Sequence, residues 1–203
     1  MPRDGNWWLP TRKGVTPFAP WLGWGRRRSR RALLSSEVNS PEVNSPTHLY
    51  LGRQYRLKVI ACEQPAVKMI RGFIVVRSRE PGRSELTRGL AEKWYLGRAR
   101  VKFTERLEVN LLRFPDPESL RPRALTIRTM RRRWGSLSAS SRLVLNRRLI
   151  EAPVDGIDYV ITHELCHVAE PHHGSRFYAL LDSVMPDWRR RKERLERSVS
   201  GRM

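Results

Sequence analysis

Cysteine, histidine and acidic side chains are all scarce in this 203-residue chain. Only two cysteines occur, Cys62 and Cys166, far apart in sequence. Two such thiols cannot staple a small secreted scaffold, so the expectation is a pair of reduced cysteines in a cytoplasmic protein. There is no unbroken run of about 18 apolar residues, so no membrane-spanning helix is expected. Near the N-terminus "FAPWLGWG" is interrupted by proline and glycine, so no signal peptide is expected. Acidic residues number 20 against 40 lysines and arginines, leaving a net charge of +20. Histidine occurs five times, and four of the five fall within residues 162–176, "THELCHVAEPHHGSR".

What is abundant is arginine, 34 of the 40 basic residues. Its planar fork pairs with phosphate, so the excess fits a polyanion such as nucleic acid; an arginine-biased coding habit would give the same count. Hydrophobic residues at 39% and charged residues at 30% are otherwise an ordinary globular balance. Residues 1–46 stand apart. They hold four of the seven tryptophans, the run "GRRRSRR" and a tandem "EVNSP" at 37–41 and 42–46. Without sustained periodicity, this segment reads as a disordered basic tail ending in a linker, with Trp21 and Trp24 available to a membrane surface or nucleic acid. One domain is expected over 47–200.

Within it, "HLYLGRQYRLKVIAC" and "AVKMIRGFIVVRS" are rich in β-branched and aromatic residues and read as the two arms of a hairpin joined by "EQP". Leu86, Leu90, Trp94, Phe103 and Leu107 recur near helical spacing, predicting a long helix broken near Gly97. "ALTIRTM" and "SRLVLNRRLI" read as strands with "RWGSLSAS" between them. Pro153 opens a helix through "DYVITHELCHVAE". Two more helices, near 175–185 and 187–199, close the chain. Helices that do not alternate strictly with strands make an α+β fold, with a small antiparallel sheet packed on the helix that carries "DYVITHELCHVAE" and on further helices.

That helix carries the chemistry. His163-Glu164-Leu165-Cys166-His167 is an HExxH pattern, and on a helix positions i and i+4 share one face. Two imidazoles so placed can ligate one Zn²⁺ at about 2.0–2.1 Å. Glu164 flanks the same face, where it can act as general base on a water that the metal acidifies. Cys166 falls off the ligand face and reads as a small buried hydrophobe. Pro171 cannot continue the helix, so an end near Ala169 or Glu170 is expected. His172 and His173 then lie on the following turn. Gly174 allows the chain to reverse, and Ser175 is positioned to cap the next helix. Two adjacent side chains seldom point the same way, so only one of this pair can join the first two histidines.

The segments "HLYLGRQYRLKV", "RWGS", "LNRRLIEAP", "DYVITHELCH", "HHGSRFYALL" and "MPDWRRRKERL", in this order, resemble the YgjP-like metallopeptidase family from Thr47 to about Arg197. The resemblance implies a zincin domain with zinc as cofactor and a third histidine six residues after the second, which is His173 here. It also implies likeness to the SprT-like and WLM protease domains, which act on proteins bound to DNA. The chain departs from the family after "WGS", where a cysteine is usual and Leu137 stands. By analogy with zincins that use a carboxylate, Asp182 is the alternative third ligand.

Other residues take supporting roles in this reading. Trp134, Gly135 and Ser136 either shape the edge that binds substrate or form a structural turn. Asn146 is placed to orient a neighbour or to satisfy backbone groups. Arg131, Arg132 and Arg133 are the densest basic run of the domain, a solvated face or a nucleic-acid-binding one. The leading functional expectation is a zinc metallopeptidase that cleaves protein or peptide. A nucleotide phosphohydrolase using the same site, with arginines clamping phosphates, is the second. A zinc-stabilised nucleic-acid-binding domain without catalysis is the third. Glu164 weighs against that one, because a closed structural site needs no base.

Overall fold

The computed structural model describes residues 47–199. The tail expected over 1–46 lies outside them. The first strands are set by two dipeptides ending in glycine. Leu51 (φ 49°) and Gly52 (φ 77°), then Arg71 (φ 45°) and Gly72 (φ 84°), take left-handed backbone in succession, the signature of two-residue hairpin turns. Strand β1 (Thr47–Tyr50) therefore folds back on β2 (Arg53–Ala61), and β3 (Ala66–Ile70) on β4 (Phe73–Ser78). The sheet order is β1-β2-β4-β3, with β2 and β4 parallel and Leu57 opposite Ile74. The single hairpin expected from the sequence is thus two hairpins, because each Xaa-Gly turn pairs its flanking strands, whereas β2 and β3, joined through "EQP", run oppositely but are separated by β4. The sheet is mixed, not purely antiparallel.

Helix α1 runs unbroken from Ser84 to Leu111. Gly97 is exposed and costs the helix only about 1 kcal/mol relative to alanine, so it does not break it. Thr87, Ala91, Tyr95, Ala99, Phe103, Leu107 and Leu111 are buried at four-residue intervals. Each interval turns about 40° past a full circle, so the apolar stripe winds around the helix. One helix can therefore serve two partners. In its first half the Tyr95 hydroxyl donates to the Leu49 carbonyl at 2.9 Å, against the first sheet. In its second half Arg106 and Asn110 meet the helix of the HExxH pattern.

A second sheet has the order β5-β7-β6, from Ala124–Arg128, Gly135–Leu137 and Arg142–Asn146. β5 pairs with β7 in parallel and β6 with β7 antiparallel. The segment "RWGSLSAS" thus contributes a short strand, β6, that periodicity did not predict. β7 also ends earlier than expected, at Asn146, whose side chain accepts from the Arg148 N–H at 3.1 Å and caps a 3₁₀ turn over Arg147–Glu151.

That turn anchors the first hairpin. Leu51 and Gly52 donate their N–H groups to the carbonyls of Ile150 and Glu151 at 2.9 and 3.0 Å. Gly52 lies so close to Pro153 that an added Cβ would meet its ring at 2.8 Å. Pro153 begins α2 (Val154–Ala169), followed by α3 (Ser175–Val184) and α4 (Trp188–Val199). α2 ends at Ala169, as Pro171 requires. Ser175 is the first residue of α3, not its cap; Gly174 holds the cap position without a side-chain hydrogen bond. Among the described residues no helix is long and apolar enough to cross a membrane.

The helices are locked by a buried polar cluster. Arg106 forks around Asp158 at 2.6 and 2.7 Å, and Asn110 Nδ2 donates to the same carboxylate at 3.0 Å. Thr162 donates to Asn110 Oδ1 at 3.1 Å. Arg191 of α4 approaches the other Asp158 oxygen at 3.5 Å. Removing the Asp158 carboxylate would strand a guanidinium that is only 17% exposed. Asp158→Ala should therefore lower the unfolding free energy by about 3–5 kcal/mol in a denaturant titration. Pairing it with Arg106→Met should recover much of that loss; a double variant as unstable as the single one would show that the ion pair is not the cause.

Candidate metal centre

Helix α2 places His163 and His167 one turn apart, with ring centroids 5.0 Å from each other. Its end at Ala169 throws the chain outward through Pro171, and the next turn brings His173 back over the pair. The His173 ring lies 4.9 Å from His163 and 4.6 Å from His167. One nitrogen from each of the three rings falls within 4.8 Å of the others. His172, its neighbour, is exposed and outside the group. Asp182 is outside it too: its Oδ1 accepts from Trp188 Nε1 at 2.7 Å and from Arg189 at 3.0 Å.

The arrangement fits a metal ion. Two imidazoles about 2.0–2.1 Å from one tetrahedral ion have nitrogens about 3.3 Å apart. Nε2 of His163 and Nε2 of His173 are 3.0 Å apart. His167 engages the Glu170 carbonyl through Nδ1 at 3.2 Å, which leaves Nε2 for the cluster. The donors are all imidazole nitrogens, a set that suits zinc and its first-row neighbours. Burial pushes the His163 imidazole down to about 4, helped by the facing His167 and His173. Burial also lowers His167, against the pull of the Glu170 carbonyl. Both rings are thus held neutral, the form that binds a metal.

Phe177 also belongs to this site, although reading the sequence assigned it no role there. Its buried ring packs 4.9 Å from His163 and 4.7 Å from both His167 and His173. The signal was available: Phe177 follows His173 by four residues at the head of α3. Tyr159, one turn before His163 on α2, was not singled out either. It packs 5.7 Å from that ring and stacks on Trp188 at 6.2 Å.

Glu164 lines the same cleft as the histidines and rests against β6. It is 8% exposed, and burial raises its carboxyl to about 7 against the opposing pull of the Leu137 backbone and the Arg133 guanidinium. Gly135 permits this close fit, since a Cβ there would lie 2.8 Å from both Cγ and Oε1 of Glu164. The buried Cys166 thiol lies on the far side of α2, where burial pushes it up to about 12. It is not among the grouped ligands.

Between α2 and β6 runs a cleft of about 730 Å³. All three histidines, Glu164, and the run Arg133-Trp134-Gly135-Ser136-Leu137 line it. Of the three consecutive arginines, Arg133 reaches the cleft, while Arg131 and Arg132 are exposed outside it. β6 is an edge strand, with β7 as its partner in the sheet. Its hydrogen bonds to β7 alternate: Trp134 O accepts from Asn146 N–H at 2.8 Å and Ser138 N–H donates to Arg142 O at 3.1 Å. By that alternation the backbone groups of Gly135 and Leu137 face the free edge.

Three imidazoles gathered beside a buried carboxyl, along a cleft bounded by a free strand edge, are the makings of a metal-dependent hydrolase. The chain matches the YgjP-like, metallopeptidase domain model over residues 19–198, and it belongs to that family. The match begins inside the segment set apart as a tail. No curated protein matches the chain. A metal ion is implied by the family, and the triad supplies a place for it. His173→Ala should weaken divalent-metal binding by more than about tenfold, since even the supports of metal ligands cost that much when lost. His172→Ala should leave it nearly unchanged. Parallel titrations of the two variants check this, and the reverse pattern would put the wrong residue of the pair in the site.

Proposed function

We propose that the protein is a zinc-dependent peptidase of the cytoplasm, in which His163, His167 and His173 hold the metal and Glu164 is the general base. The observation that carries this reading is the joint placement of the triad and Glu164 along one cleft. When bound there, zinc would supply a Lewis acid for the scissile carbonyl and for water. The protein's own groups do the rest. The Glu164 carboxylate takes the proton of the attacking water and returns it to the leaving amine. A carboxyl raised to about 7 suits both roles, since it holds and releases a proton near neutral pH.

The free edge of β6 supports a peptide substrate. The outward-facing N–H and C=O of Gly135 and the C=O of Leu137 offer an extended chain a strand to pair with, beside the triad, while the Leu137 N–H is engaged by Glu164. Trp134, Gly135 and Ser136 would in this way form the substrate edge. A nucleoside triphosphate fits the lining less well, because among the described residues Arg133 is the one arginine or lysine along it, whereas a triphosphate calls for several cations. The exposed Arg131 and Arg132 at the rim, with a net charge of +20, favour nucleic acid as an additional partner held outside the cleft. A peptidase tethered so would act on proteins that are themselves bound to DNA.

Two measurements test this. Glu164→Gln should keep about one zinc per chain and lose about 10²–10⁴ of the peptide turnover. Undiminished turnover in that variant would remove Glu164 from the role of base. DNA should bind with an affinity that falls steeply between low and moderate salt, and Arg131→Ala with Arg132→Ala should flatten the slope by about two phosphate contacts. Weak binding that ignores salt would assign the arginine excess to composition alone.

A further inference from the structure

The Glu164 carboxyl depends on a strand that is itself weakly held. β6 has three residues, too few for a firm pairing by themselves. Yet Gly135 in that strand lies within a methyl group's width of the carboxyl, so a small shift of β6 moves the wall against which Glu164 rests. What fixes the strand is one side chain at the end of β7. Asn146 is 4% exposed. Its Nδ2 donates to the carbonyls of Met130 and Arg133 at 2.8 and 2.9 Å. Its own N–H donates to Trp134 O at 2.8 Å, and its Oδ1 accepts from the Arg148 N–H at 3.1 Å.

Every polar group of that side chain is therefore used, and two of its bonds grip the segment that delivers Arg133 and Gly135 to Glu164. The amide orientation is fixed as well, because the reversed one would face two carbonyls with an oxygen. We propose that Asn146 is the positioning residue for the Glu164 carboxyl, acting through the 130–135 segment and the close approach of Gly135. The proposal rests on Glu164 being the base, and it adds a residue that touches neither metal nor substrate.

Asn146→Asp isolates the effect. The shape is kept, and so is the acceptor for the Arg148 N–H, but both N–H donors to the segment are gone. In the zinc-loaded full chain kcat should fall about a hundredfold, the scale of a 1 Å misplacement, with KM and zinc content nearly unchanged. Amide exchange at Leu137, whose backbone hydrogen-bonds the Glu164 carboxyl, should quicken by about tenfold or more while the Arg148 amide stays protected. Gly135→Ala reaches Glu164 without touching Asn146, and it should lower kcat in the same way. Unchanged kcat in Gly135→Ala, or protection lost evenly across β5, β6 and β7 in Asn146→Asp, would overturn the proposal and leave Asn146 a general stabiliser. If Leu137 opens in Asn146→Asp but the wild-type chain cleaves no peptide, the peptidase reading fails and the positioning role stands.

Discussion

The fork of Arg106 around Asp158 sits where α1 and α2 cross, five residues ahead of His163. Both bonds are short and nearly shielded from water, so the pair is satisfied in only one register of the two helices. A slide of α2 by one turn, about 5.4 Å, would leave both charges buried and unmatched. Thr162, hydrogen-bonded to Asn110 in the same cluster, is the residue next to His163. The directions of His163 and Glu164 into one cleft follow from that register. Only with α2 so held can β6 meet Glu164 while α3 brings His173 and Phe177 to the other two histidines.

The two parts of the cleft are electrostatically different. His163 and His167 are pushed toward the neutral form by burial first and by the neighbouring imidazoles second. The Glu164 side also resists charge through burial, but Arg133 and the Leu137 backbone temper that resistance. Among the described residues Arg133 is the one arginine or lysine lining the cleft. Exposed basic side chains outside it, Arg131 and Arg132 among them, lie where they can act on partners without disturbing the proton balance of the site.

Much of α2 and its surroundings was legible from local signals. A proline opens the helix, another ends its continuation, and the i, i+4 spacing puts two imidazoles on one face. The turn after Pro171 left His172 and His173 equivalent by local rules; family resemblance favoured His173, and the fold places that residue in the cluster. What local signals could not carry were contacts between distant residues. Gly135 reads as an ordinary turn glycine until Glu164 is found against it. Asp158 reads as a solvated helix residue until Arg106 arrives from 52 positions away. β6 is too short to show alternation. The two hairpins were misjudged for a different reason. Leu51-Gly52 and Arg71-Gly72 are local signals, but "EQP" holds the more conspicuous breaker, and proline outweighed glycine in the reading.

Those two glycine turns also bear on how the first sheet comes together. Each closes a strand pair from residues adjacent in the chain, a step that isolated hairpins complete in about 1–10 μs. The parallel seam between β2 and β4 has no such local closure, since the chain must pass through β3 before β4 returns beside β2. The sheet is thus divided into two halves that can form independently and one seam that must wait for both. Leu57, Val59, Ile74 and Val76 lie along that seam, where Ile74 and Val76 are wholly buried. By sequence separation, that seam is the part of the first sheet expected to close last, and its apolar residues supply the driving force for closing it.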